Sequence, residues 1–246
     1  MNELQMEAKR DCVKGAIALS NIGIEHLEKN RTNAAIETII DSTVVLRQGL
    51  SAPITSHLGL PAFIQSAQLR AFYSETQPSV TRIPVRGISF NDHTVLSLLC
   101  EQSGVFYPIR ITDSDALWDV DLGLLSSILF YNLGVAFLCA STVKDVTTTQ
   151  VEQRNQAIHF FKVAICLIHG AGVSQAAAVS LWREKVVKLA ILHSLLPIVM
   201  GSNEEEWLFE QVRHDLTVEY DELVRAVKEI GGLLQGSTEN KVAVAA

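Results

Sequence analysis

Few residues in this 246-residue chain stand at spacings that carry chemistry. The densest acidic cluster is Asp113, Asp115, Asp119 and Asp121, a grouping that invites calcium. A calcium loop follows a D-x-D-x-D-G pattern with a distal glutamate. Here the fifth position is Leu117 and the sixth is not glycine, so carboxylates at a helix N-terminus account better for the cluster. His159, Cys166 and His169 fall at i, i+7 and i+10 and can share one helical face. Zinc usually takes a fourth, closely spaced ligand, and none is evident. Arg82, Arg86 and Arg110 offer guanidinium forks to an anion or a phosphopeptide. Arginines on edge strands also serve as solvated guards against aggregation. No nucleophile elbow, P-loop or G-x-G-x-x-G occurs, so no catalytic residue, metal ligand or cofactor is assigned.

The chain that must position any site carries 27 acidic and 20 basic side chains, a formal net charge of −7. Binding nucleic acid needs clustered lysine and arginine, so no nucleic-acid partner is expected. The start of the chain, Met1 to Glu7, lacks both the basic-then-apolar pattern of a secretory signal and the arginine-rich pattern of a transit peptide. Cys12, Cys100, Cys139 and Cys166 are scattered and form no CxxC, which suits buried, reduced thiols. An intracellular, cytoplasmic protein is expected. Residues 122–143 run without a charge and are long enough to span a bilayer. Ser126, Ser127 and Asn132 interrupt that run, and a buried helix of a helical-repeat protein explains it without lipid.

Apolar residues at helical spacing predict a helix over 3–29, with Val13, Ile17, Ser20, Ile24 and Leu27 on one stripe. Asn30 to Asn33 breaks it, and a second helix with Ile36, Ile39, Ile40, Val44 and Leu46 ends near Gly49. Residues 50–80 change character, with Pro53, Gly59, Pro61 and Pro78, and only 61–73 reads as a short helix. Two strand-like pieces follow, 81–90 and 104–111, with an internal echo of Ile83-Pro84-Val85-Arg86 in Tyr107-Pro108-Ile109-Arg110. Proline in each places it at an edge or a strand end. Helices are then expected near 115–141, 150–170, 174–200 and 203–234, and the tail after Gly236 lacks periodicity.

The first hairpin carries Leu19-x-Asn21-Ile22-Gly23-x-x-His26 followed by Ala35-x-x-x-Ile39-x-x-Ser42. The later helices carry Phe130-x-Asn132-Leu133-Gly134-x-x-Phe137, then Ala157-x-x-x-Phe161-x-x-Ala164. A degenerate third copy fits Leu192-x-x-Leu195-Leu196-x-x-Val199 and Leu208-x-x-x-Val212. These patterns resemble the tetratricopeptide repeat, and the chain is similar to the tetratricopeptide-like proteins abundant in diatoms. Gly23 and Ala35 lie at the family's 12-residue offset, while 11 extra residues separate Gly134 from Ala157.

The resemblance implies a concave groove lined by first helices, which in such arrays holds a partner peptide. Carried over position by position, the groove comprises Ser20, Asn21 and Ile24, then Tyr131, Asn132 and Val135, then His193 and Pro197. Asn21 and Asn132 match the asparagine that clamps a carboxylate in chaperone-binding members. The lysines and arginine of that clamp are missing, which argues against an acidic chaperone tail as partner. The 50–115 insert, with Leu58, Leu60, Phe63, Ile64, Phe72 and Tyr73, is a candidate to fold across this face and fill it in cis.

The expected fold is therefore all-α, a tetratricopeptide-like bundle of about six main helices with a small two-stranded β-ribbon insert. It forms one domain over 1–236 with the insert at 50–115 and a flexible tail at 237–246. The expected function is a non-enzymatic interaction module or scaffold subunit that binds a protein, peptide or helix. The mean hydropathy of +0.23 adds an expectation of self-association. Two alternatives stay open: a helical ligand-binding protein or enzyme with an unrecognised pocket, and a membrane-associated protein using 122–143.

Overall fold

A computed structural model of the chain describes residues 3–51, 60–73, 84–89, 105–112, 122–142, 148–170, 178–200, 210–222 and 225. It is built from helices apart from one small parallel strand pair. Two compact units divide it, 1–175 and 176–246. In the first unit, α1 (Glu3–Glu28) and α2 (Thr32–Ser51) form a hairpin, and α3 (Leu60–Tyr73) packs on both. Strands β1 (Ile88–Ser89) and β2 (Ile109–Arg110) come next, followed by a second hairpin of α4 (Leu122–Ala140) and α5 (Thr148–Gly170). Helix α4 also packs against α2 and α1. The second unit contains α6 (Ala178–Met200) and a helical stretch over 210–222. The acidic cluster at 113–121, Arg82, Cys100, Leu208 and the tail at 237–246 lie outside the described residues.

The turn between α1 and α2 ends the first helix by backbone chemistry. Asn30 takes a left-handed conformation, φ 58°. The Arg31 N–H then reaches the His26 carbonyl at 2.8 Å, and the Asn30 N–H reaches Leu27 at 2.9 Å. That pair of bonds is a Schellman closure, with asparagine where glycine is commonest. A β-branched residue is strained in this conformation, so Asn30→Val should cost about 1–2 kcal/mol and Asn30→Gly should be near neutral. Urea unfolding of the two variants checks this.

Both hairpins close on a glycine of the first helix. A methyl group at Gly23 would lie 2.5 Å from Ile39 Cγ1, and one at Gly134 would lie 2.6 Å from Phe161 Cε1. Serine hydroxyls stitch the pairs: Ser42 donates to the Ala16 carbonyl at 2.7 Å, and Ser127 donates to the Ala164 carbonyl at 2.8 Å. Ala16 and Ser127 stand seven residues before their glycines, and Ser42 and Ala164 stand seven after Ala35 and Ala157. The serine has changed helix between the hairpins, but the pair of positions is the same.

Helix α4 is the centre of the first unit. Thirteen of its residues are buried, from Leu124 to Ala140, and they cover nearly every direction around its axis. By length and composition it is the one described helix apolar enough to cross a membrane, and most of it is buried inside the protein. Phe130 and Phe137 stack on Phe160 of α5 with ring centroids 6.0 and 5.4 Å away. Cys139 is half-buried here, and desolvation pushes its thiol up to about 12.

Helix α3 is anchored by polar contacts. The ring Nε2 of buried His26 lies 3.2 Å from the Ala67 carbonyl, so Nε2 carries the proton and donates. Arg70 pairs with Asp41 at 2.7 Å and Glu37 at 3.1 Å. Burial holds the His26 imidazole below its ordinary range of about 6.5, and nearby Arg31 and Lys29 act the same way. Because the folded state resists protonation, the unfolded chain takes the proton first as pH falls. Stability should therefore decline as pH drops below about 6.5, by at most about 1.4 kcal/mol per pH unit per group. His193 is depressed by burial too, so His26→Gln should remove part of the slope measured by urea unfolding between pH 7.5 and 5.5.

Strands β1 and β2 run parallel, with Ile88 opposite Ile109 and Ser89 opposite Arg110. A bridge from Val85 to Phe106 keeps the same register. Residues 90–108 connect the strands, ample for the crossover that a parallel pair needs. The echoed motifs are three residues out of register, so Pro84 does not face Pro108. The ladder includes Phe106 N–H to Pro84 O, Arg86 N–H to Phe106 O and Ile88 N–H to Pro108 O, at 2.9–3.1 Å.

Candidate functional site

The second strand lies where α1 and α4 come together. Along a strand, successive residues send their N–H and C=O to opposite edges. The even residues of 106–110 turn theirs toward β1, as the ladder shows. The odd residues turn theirs toward the helices. Tyr131 donates its hydroxyl to the Tyr107 carbonyl at 3.0 Å. Asn132 accepts from the Ile109 N–H at 2.8 Å and donates to the Ile109 carbonyl at 3.0 Å. Asn21 does the same for Ile111, accepting at 3.2 Å and donating at 2.7 Å. Each side-chain amide thus imitates one peptide group of a third strand. This matters because an isolated two-stranded pair is marginal.

The clamp is well supported. The second N–H of Asn132 donates to Ser20 Oγ at 3.1 Å, tying α4 to α1 across the site. Ser20, Tyr131 and Asn132 are each at most 1% exposed. Ile24 and Val135 are fully buried beside them, with Tyr107, Ile109 and Ile111 between 1% and 3% exposed. At the outer end, Glu28 bridges two strands: one carboxylate oxygen accepts from the Gly87 N–H at 2.9 Å, the other pairs with Arg110 at 2.5 Å. Glu25 stands 4.0 Å from the same guanidinium. A side chain on Gly87 would strike Arg110 Nε at 2.5 Å, so glycine lets β1 pass over it.

Six of the groove positions, Ser20, Asn21, Ile24, Tyr131, Asn132 and Val135, are therefore brought together around the chain's own segment 105–112. His193 and Pro197 belong to the second unit, on α6, the first half-buried and the second exposed. The arginine trio does not assemble among the described residues: Arg110 is committed to Glu28, Arg86 is exposed, and Arg82 is outside them. His159 is exposed and lies edge-on to Phe160 at 5.6 Å, and Cys166 is exposed. Of residues 107–111 only Arg110 was a sequence candidate, as an anion contact, and Glu28 and Glu25 were not among the candidates. The alternation of Tyr107, Ile109 and Ile111 was the available signal, and it points to a strand with one demanding edge.

In the second unit, buried Lys185 pairs with Glu222 at 2.5 Å and Glu219 at 3.2 Å, and Lys188 joins Glu219 at 3.2 Å. These contacts pin α6 to the helical stretch 210–222. The chemistry around 105–112 is different in kind. Uncharged amides and hydroxyls hold a backbone, and one carboxylate reads an arginine. Comparison of the chain with family models, with curated proteins and with solved structures finds no match.

Proposed function

We propose that the chain is a non-enzymatic protein-interaction module. In this reading its tetratricopeptide-like hairpins recognise an extended segment through the segment's backbone. One observation carries the proposal: Asn21 and Asn132, at matching positions of two hairpins, each grip the N–H and C=O of one residue in the strand between them. Paired amide bonds of this kind read an extended conformation and tolerate many side chains, the requirement of a peptide-binding face. The repeat reading is supported by the shared glycine, alanine and serine positions of the two hairpins and by the packing of α2 on α4.

The resident segment 105–112 closes this face in the resting chain. A partner then either exchanges with it or docks elsewhere on the module. Crosslinked affinity purification of the tagged full chain, with stoichiometry read by mass spectrometry, tests the reading. A protein at comparable stoichiometry is expected. A chain recovered without one, under crosslinking and at native expression, would overturn the interaction-module reading and favour a ligand-binding protein.

A further inference from the structure

We infer that the face between α1 and α4 accepts, in trans, an extended segment of the pattern aromatic, proline, β-branched, arginine, β-branched, for which Tyr107 to Ile111 is the resident copy. The inference rests on the proposed reading of this face and names the partner's chemistry. Each position follows from what the site does to the resident strand. The first residue supplies a carbonyl to the Tyr131 hydroxyl and buries its ring. The second needs no N–H toward the helices, and its carbonyl serves Ile88. Proline fits there, and it also biases the residue before it toward an extended backbone, which lowers the cost of ordering the segment.

The third and fifth residues must present both N–H and C=O to Asn132 and Asn21. Proline is excluded at both. The fourth places a guanidinium against Glu28 and Glu25. That charge complementarity separates this ligand from other apolar strands. An incoming segment would also inherit the ladder to residues 84–88, where the Arg86 and Ile88 N–H groups otherwise lose their acceptors. The central part of the motif, proline, β-branched, arginine, recurs in the chain as Pro84 to Arg86, three residues out of register with the first. Strand pairing therefore does not account for the recurrence.

Because the resident copy is tethered, its effective concentration is high and a free peptide competes poorly with it. The probe is a labelled, blocked peptide with the sequence of residues 105–112, read by fluorescence anisotropy. The wild-type chain should bind it weakly. The full-length Ile109→Pro variant, whose resident strand cannot satisfy Asn132, should bind about 100-fold more tightly. A peptide carrying Ile109→Pro should bind neither chain. A folded Ile109→Pro chain that fails to separate the native peptide from a scrambled one overturns the inference.

A second variant keeps the test decisive if Ile109→Pro does not fold. Residues 105–112 are replaced by an equal length of glycine and serine, and thermal unfolding is followed with and without peptide. A rise in Tm with the native peptide, and none with the Ile109→Pro peptide, supports the inference. No rise with either overturns it. A stoichiometric protein partner found by affinity purification despite that result would leave the interaction-module reading standing, with the partner on another surface.

Discussion

Asn132→Leu should lower the unfolding free energy by about 3–5 kcal/mol, because the Ile109 N–H and carbonyl are each left buried without a partner. Leucine keeps the branched shape of asparagine but is larger, so overpacking adds to the loss. For a chain of this size the Tm should fall by roughly 8–15 °C. Asn21→Leu removes the equivalent grip on Ile111 at a half-buried position where water can substitute, and its effect should be about half as large. Asn132→Asp supplies an informative companion. The carboxylate keeps the acceptor for Ile109 N–H but loses both donations, to the Ile109 carbonyl and to Ser20. It also places a charge in a site without exposure, so the folded state favours the protonated acid. Stability of Asn132→Asp should therefore rise as pH falls from 7 to 5, opposite to the trend that His26 imposes on the parent. A cost below about 1 kcal/mol for Asn132→Leu would mean that the amide is not what holds the strand.

The sequence makes the hairpins legible because their signals are local. The α1 stripe, the asparagine turn at 30 and the glycine-to-alanine offset lie within a few helical turns of one another. Ser20, Asn21, Tyr131 and Asn132 were named from matching positions in the two hairpin patterns, and contacts to 107–111 involve Asn21, Tyr131 and Asn132. What covers the face between α1 and α4 was harder to read. The 50–115 insert was the expected cover on the apolar content of Leu58 to Tyr73, but helix α3 docks on α1 and α2 through Ala67 and Arg70, and the part of the insert on the face is 105–112. The occupant is selected by backbone complementarity over long range: Asn21 and Ile111 are 90 residues apart, and Arg110 and Glu28 are 82 apart. Composition carries no record of that geometry. The same distance hid the fate of Arg110, which reads as a free anion contact until Glu28 is placed beside it. Strand direction was equally remote from local pattern, because the long connection over 90–108 permits a parallel pair.

Gly134→Ala sets two effects against each other, and their difference tests the packing directly. On an isolated helix the substitution is favourable by about 1 kcal/mol. Here the new methyl group meets two ring atoms of Phe161, at 2.6 and 2.7 Å. Phe161 is fully buried and lies against Tyr131 with ring centroids 5.8 Å apart, so the ring has no free direction to retreat. Overpacking of this kind costs about 1–3 kcal/mol or more, and the net change should be destabilising. Gly134→Val should exceed about 3 kcal/mol, since its second methyl group cannot avoid the same ring. Phe161→Leu in the Gly134→Ala background should recover part of the loss, with a coupling of about 1–2 kcal/mol in a double-mutant cycle. The displacement also reaches the site. Asn132 lies two residues before Gly134 on the same helix, so pushing α4 from α5 shifts its amide relative to Ile109. Hydrogen exchange at the Ile109 amide should then accelerate more than exchange within α6, which belongs to the other unit. Were Gly134→Ala to stabilise the chain as propensity alone dictates, the close helix approach would be absent, and with it the geometry that seats the clamp.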